Sequence, residues 1–354
     1  MSQPTREQDS MPDSQPAFEP EHTTGHAPVL VYDVGGSHIS AAICYPQTFA
    51  LHGISRAPLP AATETNPGAG HFSAASFGRL IHTLGEAAAN SANIRVQNLA
   101  GAALAMPGPF DYERGISQMR HKLTSLFGVD LKSALAARFG WQPSQVRFVN
   151  DAAAFLLGEM GAGAAKGYAR AIGITLGTGI GCAFGVADAA GSRVLTEGPG
   201  IPPGGEIWNL PYNGATVEDF VSTRYLRAQY QSLTGMEAEV AVIADTAKGD
   251  QPCPEDLPPL KPAPGAPEDP YLAHCRARRA FENFGRHLGL ALNQHAAAFH
   301  PEVIVLGGGI SRASALFLPS TRKALAPGFA PKIAISTLMD HAPLAGSGVH
   351  WFTT

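Results

Sequence analysis

From Pro28 onward the hydrophobic positions fall into short runs broken by glycine, and the rhythm of each run predicts an element. Val29, Leu30, Val31 and Tyr32 are β-branched or aromatic and suit a buried strand. Ile39, Ala41 and Ile43 then place an apolar side chain at every second position until Pro46, which predicts a second strand. Gly35-Gly36 therefore turns a hairpin, with Asp33 at its mouth. A dinucleotide fingerprint needs G-x-G-x-x-G and a following helix, and neither occurs. "FSAASFGRLIHTLGEAAAN" has helical spacing, and "NLAGAALAMPGPF" is a buried strand running into a Pro-Gly-Pro loop. "GVDLKSALAARFG" predicts a short helix ended by glycine. "VRFVNDAAAFLLGEMGAG" is a strand that becomes a helix at Asp151.

A second block repeats the first. "ARAIGITLGTGIGCAFGVA" is again strand, glycine turn and strand, so the turns at Gly35 and Gly177 mark a diverged duplication. A long helix follows in "CRARRAFENFGRHLGLALNQHAAAF". The strand of "PEVIVLGGGISRASALFLPSTRKAL" then meets a third glycine turn before a helix. Two segments lack such rhythm. Residues 1–27 are polar and punctuated by proline, and are expected to be a disordered tail. "GDQPCPEDLPPLKPAPGAPEDP" holds eight prolines in 22 residues, so no helix or central strand passes through it. It is expected to be an exposed, semi-extended insertion.

Composition narrows the class. A chain of 354 residues exceeds one ordinary core and predicts two domains. The net charge of −4, from 25 basic and 29 acidic residues, carries no nucleic-acid footprint. No apolar run approaches the length of a membrane span, and no signal peptide is evident, so a cytoplasmic location is expected. Cys44, Cys182, Cys253 and Cys275 are scattered. They are expected to be buried thiols in a reducing compartment, with neither a disulfide framework nor a structural zinc site. The thirteen histidines show no ligand spacing, and Lys122 reads as a surface residue.

The chemistry lies in the three glycine turns. Bare amides in such turns approach phosphate oxygens without a side chain in the way. Gly35, Gly36 and Ser37 in one hairpin, with Gly177, Thr178 and Gly179 in the other, suit a polyphosphate gripped from two sides. Gly307, Gly308 and Gly309 suit a flat base lying against the backbone. Asp151 reads either as an ordinary helix cap or as a carboxylate at a strand's C-terminal end, where ligands sit in open α/β sheets.

The motifs "DVGGS", "MPGP", "VNDAAA", "LGTGIG" and "VIVLGGGIS", in this order and spacing, resemble the ROK family of sugar kinases and repressors, part of the sugar kinase, Hsp70 and actin superfamily. The resemblance runs from about Pro28 to the C-terminus. It implies an α/β protein of two actin-like (ribonuclease H-like) domains with a central interdomain cleft that closes on sugar and ATP. The expected division is a small domain over 28–150, completed by a C-terminal helix at about 341–354, and a larger one over 151–340 with the Pro-rich insertion at about 250–270. The repressors of the family carry a winged DNA-binding domain at the N-terminus, where only the tail stands here, so no nucleic-acid partner is expected. No membrane partner is expected either. The family often forms dimers, so a homodimer is compatible, with no interface legible.

The resemblance also assigns residues. It makes "DVGGS" and "LGTGIG" the phosphate turns and "LGGGIS" the adenosine turn, with Asp33 binding Mg2+ through water. Asp151 becomes the general base, Asn150 a ligand of sugar hydroxyls, and Gly108 of "MPGP" part of the sugar site. In "PPGGEIWNLPYNGATVEDF", Glu206 matches the glutamate of the family's G-E-x-x-H stretch, and Asn209 replaces its histidine. Glu218 matches a second sugar glutamate. The cysteines that hold zinc in many relatives are missing, so no zinc site is expected. The implied activity is ATP- and Mg2+-dependent phosphorylation of a hexose, glucose or a close analogue, at its primary hydroxyl. Rival readings are a non-catalytic sugar sensor, a kinase for an N-acetylated amino sugar or fructose, and a polyphosphate-dependent kinase.

Overall fold

The computed structural model describes residues 26–59, 73–120, 123–258 and 269–354. Its first sheet begins with the predicted hairpin of β1 (Val29–Val34) and β2 (His38–Cys44), extended by antiparallel β3 (Leu51–Pro58). Helix α1 (Ala74–Ser91), capped by Ser73, buries Phe77, Ile81, Leu84 and Ala88 on one face, the helical spacing seen in the sequence. It leads to β4 (Ala102–Met106), which lies parallel to β1 and is buried along its whole length, as parallel strands covered on both faces are. A small excursion, β5 (Phe110–Asp111) and β6 (Ile116–Ser117), precedes α2 (Leu131–Phe139), which ends at Gly140 with φ +71°. Strand β7 (Val146–Asn150) closes the order β3-β2-β1-β4-β7 and passes directly into α3 (Asp151–Ala162).

The second sheet repeats this plan. Strands β8 (Arg170–Leu176), β9 (Ile180–Asp188) and β10 (Gly191–Leu195) form the hairpin and its antiparallel neighbour. A long connection then carries β11 (Pro211–Tyr212), β12 (Ala215–Thr216), α4 (Val217–Phe220), α5 (Thr223–Thr234), α6 (Val240–Thr246) and α7 (Pro270–His295). Strand β13 (Val303–Gly307), helix α8 (Ser314–Ala324) and β14 (Lys332–Ile335) complete the order β10-β9-β8-β13-β14. The two sheets thus share one strand order, which is the structural form of the duplication.

Helix α9 (Ala342–Thr353) returns the chain to the first sheet, where Leu344 and Trp351 pack with Val29, Val31 and Cys44. Ser347 Oγ donates to the Tyr32 carbonyl at 3.3 Å. On its other side α9 crosses α3 so closely that a side chain at Gly346 would run into the Ala154 carbonyl, and one at Gly158 into the Ala342 carbonyl. Residues Ala152–Met160 are accordingly buried all round, between α9 and strands β8 and β9. Below the crossing, the buried Glu159 accepts from Ala164 N, Ser336 Oγ and Leu338 N, which ties the end of α3 to the chain entering α9.

One expectation is corrected. Cys253 and Cys275 are not free thiols but form a disulfide, while Cys44 and Cys182 are free and buried. The Pro-rich segment, over its described residues, is mostly exposed and free of helix and strand, as expected, and is pinned to α7. Tyr271, Arg276, Arg278 and Arg279 donate to the carbonyls of Pro252, Pro258, Gly249 and, for Arg279, both Pro254 and Glu255. Proline has no N–H to offer, but its carbonyl remains a good acceptor, and an arginine-rich helix face supplies the donors. Residues 259–268, the tail as far as residue 25 and Lys122 lie outside the described residues. Among the described residues no helix is long and apolar enough to cross a membrane.

The α3–α9 crossing carries the first prediction. Gly346→Ala inserts a methyl group where two backbones touch, and should cost about 2 kcal/mol or more, lowering the thermal midpoint by several degrees. A midpoint within about 1 °C of the parent would show that the crossing tolerates separation.

Candidate active site

The glycine turns stand at the ends of their strands with open surface in front of them. In the first, Gly35 N donates to His38 O at 3.0 Å, Leu59 N holds the Ser37 carbonyl at 2.8 Å, and a side chain at Gly36 would meet nothing. The second closes through Gly177 N to Gly179 O at 3.0 Å. Its Gly177 carbonyl accepts from both Thr223 N and Thr223 Oγ1 at 2.9 Å, so the start of α5 clamps this turn and leaves Thr178 exposed. The third abuts the second, since Gly307 pairs with Thr175 and a side chain at Gly308 would strike Leu176. Gly308 has φ +80°, a conformation glycine adopts without strain, and Gly309 faces open space.

Asp33 sits beside the first turn, partly buried, with its pKa pushed up to about 7. Burial is the main cause, the negative charges of Asp151 and Asp340 add to it, and Arg56 opposes it. The strand register explains Arg56, because Asp33 pairs with Ser40 and Ser40 with Arg56, one cross-strand row. Asp340 is itself engaged by Arg312, with both carboxylate oxygens near 3 Å. Asp33 is thus a carboxylate in a locally negative field that protein cations offset only in part, which fits a divalent cation. No three His, Cys, Asp or Glu side chains among the described residues converge on one point. That suits magnesium, which keeps several waters and takes one or two carboxylates plus phosphate oxygens.

Of the residues expected at the sugar site, Asn150 and Glu206 line a cavity of about 360 Å3 whose walls also include Tyr112 and Cys182. Asn150 caps α3 by accepting from Ala153 N at 3.0 Å, and its amide donates to Tyr112 Oη at 3.1 Å. Asp151 opens the helix and accepts from Ala152 N at 2.9 Å, a position where the helix's positive end favours a carboxylate. Tyr112 donates to the Met106 carbonyl at 3.2 Å. Its phenol is held protonated chiefly by burial and further by the charges of Asp151 and Glu206, against the Asn150 bond. Gly108, next to a cis Pro109, keeps the space beside the Tyr112 hydroxyl open. Glu206 reaches the cavity with one oxygen held by the Trp208 indole N–H at 2.6 Å.

Four other expected residues, Gly108, Asp151, Asn209 and Glu218, are not among the walls of this cavity. Asn209 is exposed on a turn. The Glu218 carboxylate accepts from Ile180 N at 3.2 Å and fills the space that Gly179 leaves, so it braces the second phosphate turn rather than lining the cavity. Tyr112 and Trp208 were missed by sequence reasoning. Nothing in the run "PFDYERG" marks its tyrosine, whereas a tryptophan two residues after a candidate ligand was a usable signal. Between Glu206 and Glu218 the chain makes the β11–β12 hairpin. Behind it stand the rings of Tyr212, Phe220, Tyr225 and His287, with Tyr212 Oη at 2.8 Å from His287 Nδ1.

Repeated sheet order and glycine turns define a two-domain, actin-like α/β protein. The chain belongs to the ROK family, matching it over residues 76–347. It is 27% identical over 257 residues to the glucokinase of Thermotoga maritima, covering 68% of this chain and 75% of that protein. The ROK hexokinase structure from Thermus thermophilus superposes with a TM-score of 0.67 at 22% identity, over 91% of this chain and 97% of that one. A ROK family glucokinase from Streptomyces griseus, solved with glucose and AMPPNP, gives 0.64 at 19% identity, over 91% and 98%. At these identities the two structures establish the fold.

Two predictions follow from this geometry. The folded protein binds the Asp33 proton more tightly than the unfolded chain, whose carboxyl has pKa near 3.8. That contribution favours the fold at low pH and is lost as pH rises from about 4 through about 7. Without divalent cations, the parent should therefore lose thermal stability between pH 5 and 8 by more than Asp33→Asn does. Identical pH dependence in both would remove Asp33 as the source. Secondly, with rings rather than thiolates behind the hairpin, EDTA should leave the midpoint unchanged and elemental analysis should find less than about 0.1 zinc per chain. One zinc per chain would contradict this.

Proposed function

We propose that the protein is an ATP-dependent sugar kinase that phosphorylates the primary hydroxyl of a hexose, glucose or a close analogue. One observation carries the reading: Asp151 heads α3 directly after the cavity-lining Asn150, and β7, which ends there, is joined through β4 to β1, which carries Asp33 beside the first glycine turn. A single carboxylate therefore stands between the place suited to phosphates and the place suited to hydroxyls. The similarity to a glucokinase supports the same reading.

In this mechanism Asn150 and Glu206 hold the sugar so that one hydroxyl faces Asp151. Asp151 accepts that proton while the hydroxyl oxygen forms its bond to the γ-phosphorus, and the bond from that phosphorus to the bridging oxygen breaks to release ADP. Phosphoryl transfer of this kind is mostly dissociative, so aim matters more than base strength. Asp151 is aimed by its place at the first residue of a helix whose body cannot shift. The amides of the two hairpin turns, with Ser37 and Thr178, cradle the phosphates. Asp33 would hold a magnesium ion through water, and that ion, when bound, neutralises charge on the phosphate oxygens. The halves flanking the cleft, 28–150 with α9 and 151–340, would close by pivoting at the α3–α9 crossing, which excludes water while the head of α3 stays beside the first sheet. The consumption of ATP agrees with a cytoplasmic location.

A non-catalytic sugar sensor is the second reading, favoured by Glu218 bracing the phosphate turn instead of the cavity. A coupled ADP-release assay over a panel of hexoses, with ATP and polyphosphate as donors, separates the readings. Asp151→Asn should lower kcat by roughly 10²–10⁴-fold while sugar binding remains measurable. Activity within a few-fold of the parent would remove Asp151 as the base.

A further inference from the structure

Trp208 is the tryptophan that no part of the proposed chemistry uses, and its setting is unusual. Its side chain is 42% exposed, although so large an apolar surface is ordinarily covered. Its backbone is nonetheless fixed. The buried Ile207 precedes it, Leu210 N closes the turn onto the Ile207 carbonyl at 3.2 Å, and Glu218 N holds the Trp208 carbonyl at 3.0 Å. The indole N–H donates to Glu206 Oε2 at 2.6 Å, a short bond strengthened by the carboxylate's charge. A carboxylate on a turn would otherwise sample several rotamers. This bond occupies Oε2 and leaves Oε1 of a cavity-lining glutamate for a ligand hydroxyl.

We infer that Trp208 is a positioning residue for Glu206, its indole N–H holding the rotamer in which the carboxylate meets a sugar hydroxyl. The inference rests on the sugar-kinase reading. It adds a residue through which this chain sets its affinity for sugars that place a hydroxyl at Glu206.

The test uses Trp208→Phe, which keeps a ring and removes the donor, and Trp208→Ala, which removes both. Trp208→Phe should raise the sugar KM about tenfold, the scale of a hydrogen bond to a charged group, and Trp208→Ala, which lacks the same donor, should raise it at least as much. The KM for ATP and the thermal midpoint should stay near the parent's, a split that a merely structural role would not produce. Saturating sugar should shift the tryptophan emission of the parent, and the shift should vanish in Trp208→Phe although Trp141 and Trp351 remain. Sugar KM values within about twofold of the parent in both variants would overturn the inference. So would an emission shift that persists in Trp208→Phe, or no shift in the parent. Should Trp208→Ala fail to fold, Trp208→Phe and the emission measurement decide. A parent that releases no ADP with any hexose overturns the kinase reading and this inference with it. A parent that turns over while both variants match it overturns the inference alone.

Discussion

The contact on which the rest depends is the crossing of α3 and α9, where Gly158 and Gly346 let two helix backbones touch. Close packing of this kind holds two positions rather than a range, because interiors pack as densely as crystals and do not deform gradually. Helix α9 is bound to β1 through Ser347 and the Leu344 cluster, and α3 carries Asp151 at its head. The place of the proposed base is therefore fixed relative to β1, and so relative to Asp33 at the end of that strand. Glu159 secures the far end of α3 to the chain entering α9. Without that anchor, α3 would pivot about the crossing and move Asp151 with it.

Electrostatics at the cleft work against the empty protein. The charges of Asp151 and Asp340 act on the partly buried Asp33, and Arg56 offsets only part of that field. Such a site is costly until a cation arrives, and its ligands then supply stability that the fold lacks alone. Marginal stability at a functional site is the expected exchange for strong binding. Arg312 shows the same economy, pairing with Asp340 from just beyond the third glycine turn while both side chains stay exposed. An exposed pair of this kind is worth little by itself, so Arg312 remains available to a negatively charged ligand.

Local features were legible in the sequence. The hairpins, α1, α2, the β7–α3 junction and α7 follow from apolar period and caps, and Asp151 stood out at that junction, while the family resemblance gave it and Asn150 their expected roles. What stayed hidden is contact over long separation. Tyr112 meets Asn150 only after a loop folds back, and no periodicity encodes that approach. The Cys253–Cys275 pair depends on a proline-rich segment lying along α7, held by arginines that periodicity reads merely as a polar face. Glu218 was placed by motif matching alone. The motif supplies its position in the chain, but the carboxylate's direction is set by the bare Gly179 amide region, which only the packed turn reveals.

The sugar loop shows how one chain reaches a ligand geometry by its own means. Glu206 is placed by Ile207, which is fully buried beside it, and by the β11–β12 hairpin, whose Tyr212 is also buried, as is Val217 at the start of α4. Burying each such side chain contributes roughly 1.5–3 kcal/mol. Edge-to-face contacts among Tyr212, Phe220, Tyr225 and His287 add direction to that burial. Burial, and then neighbouring Arg286, push the His287 imidazole below its usual value, so this ring belongs with the apolar cluster rather than with the charges of the cleft. The place of Glu206 in the fold therefore follows from hydrophobic burial, while the direction of its carboxylate follows from the indole N–H of Trp208.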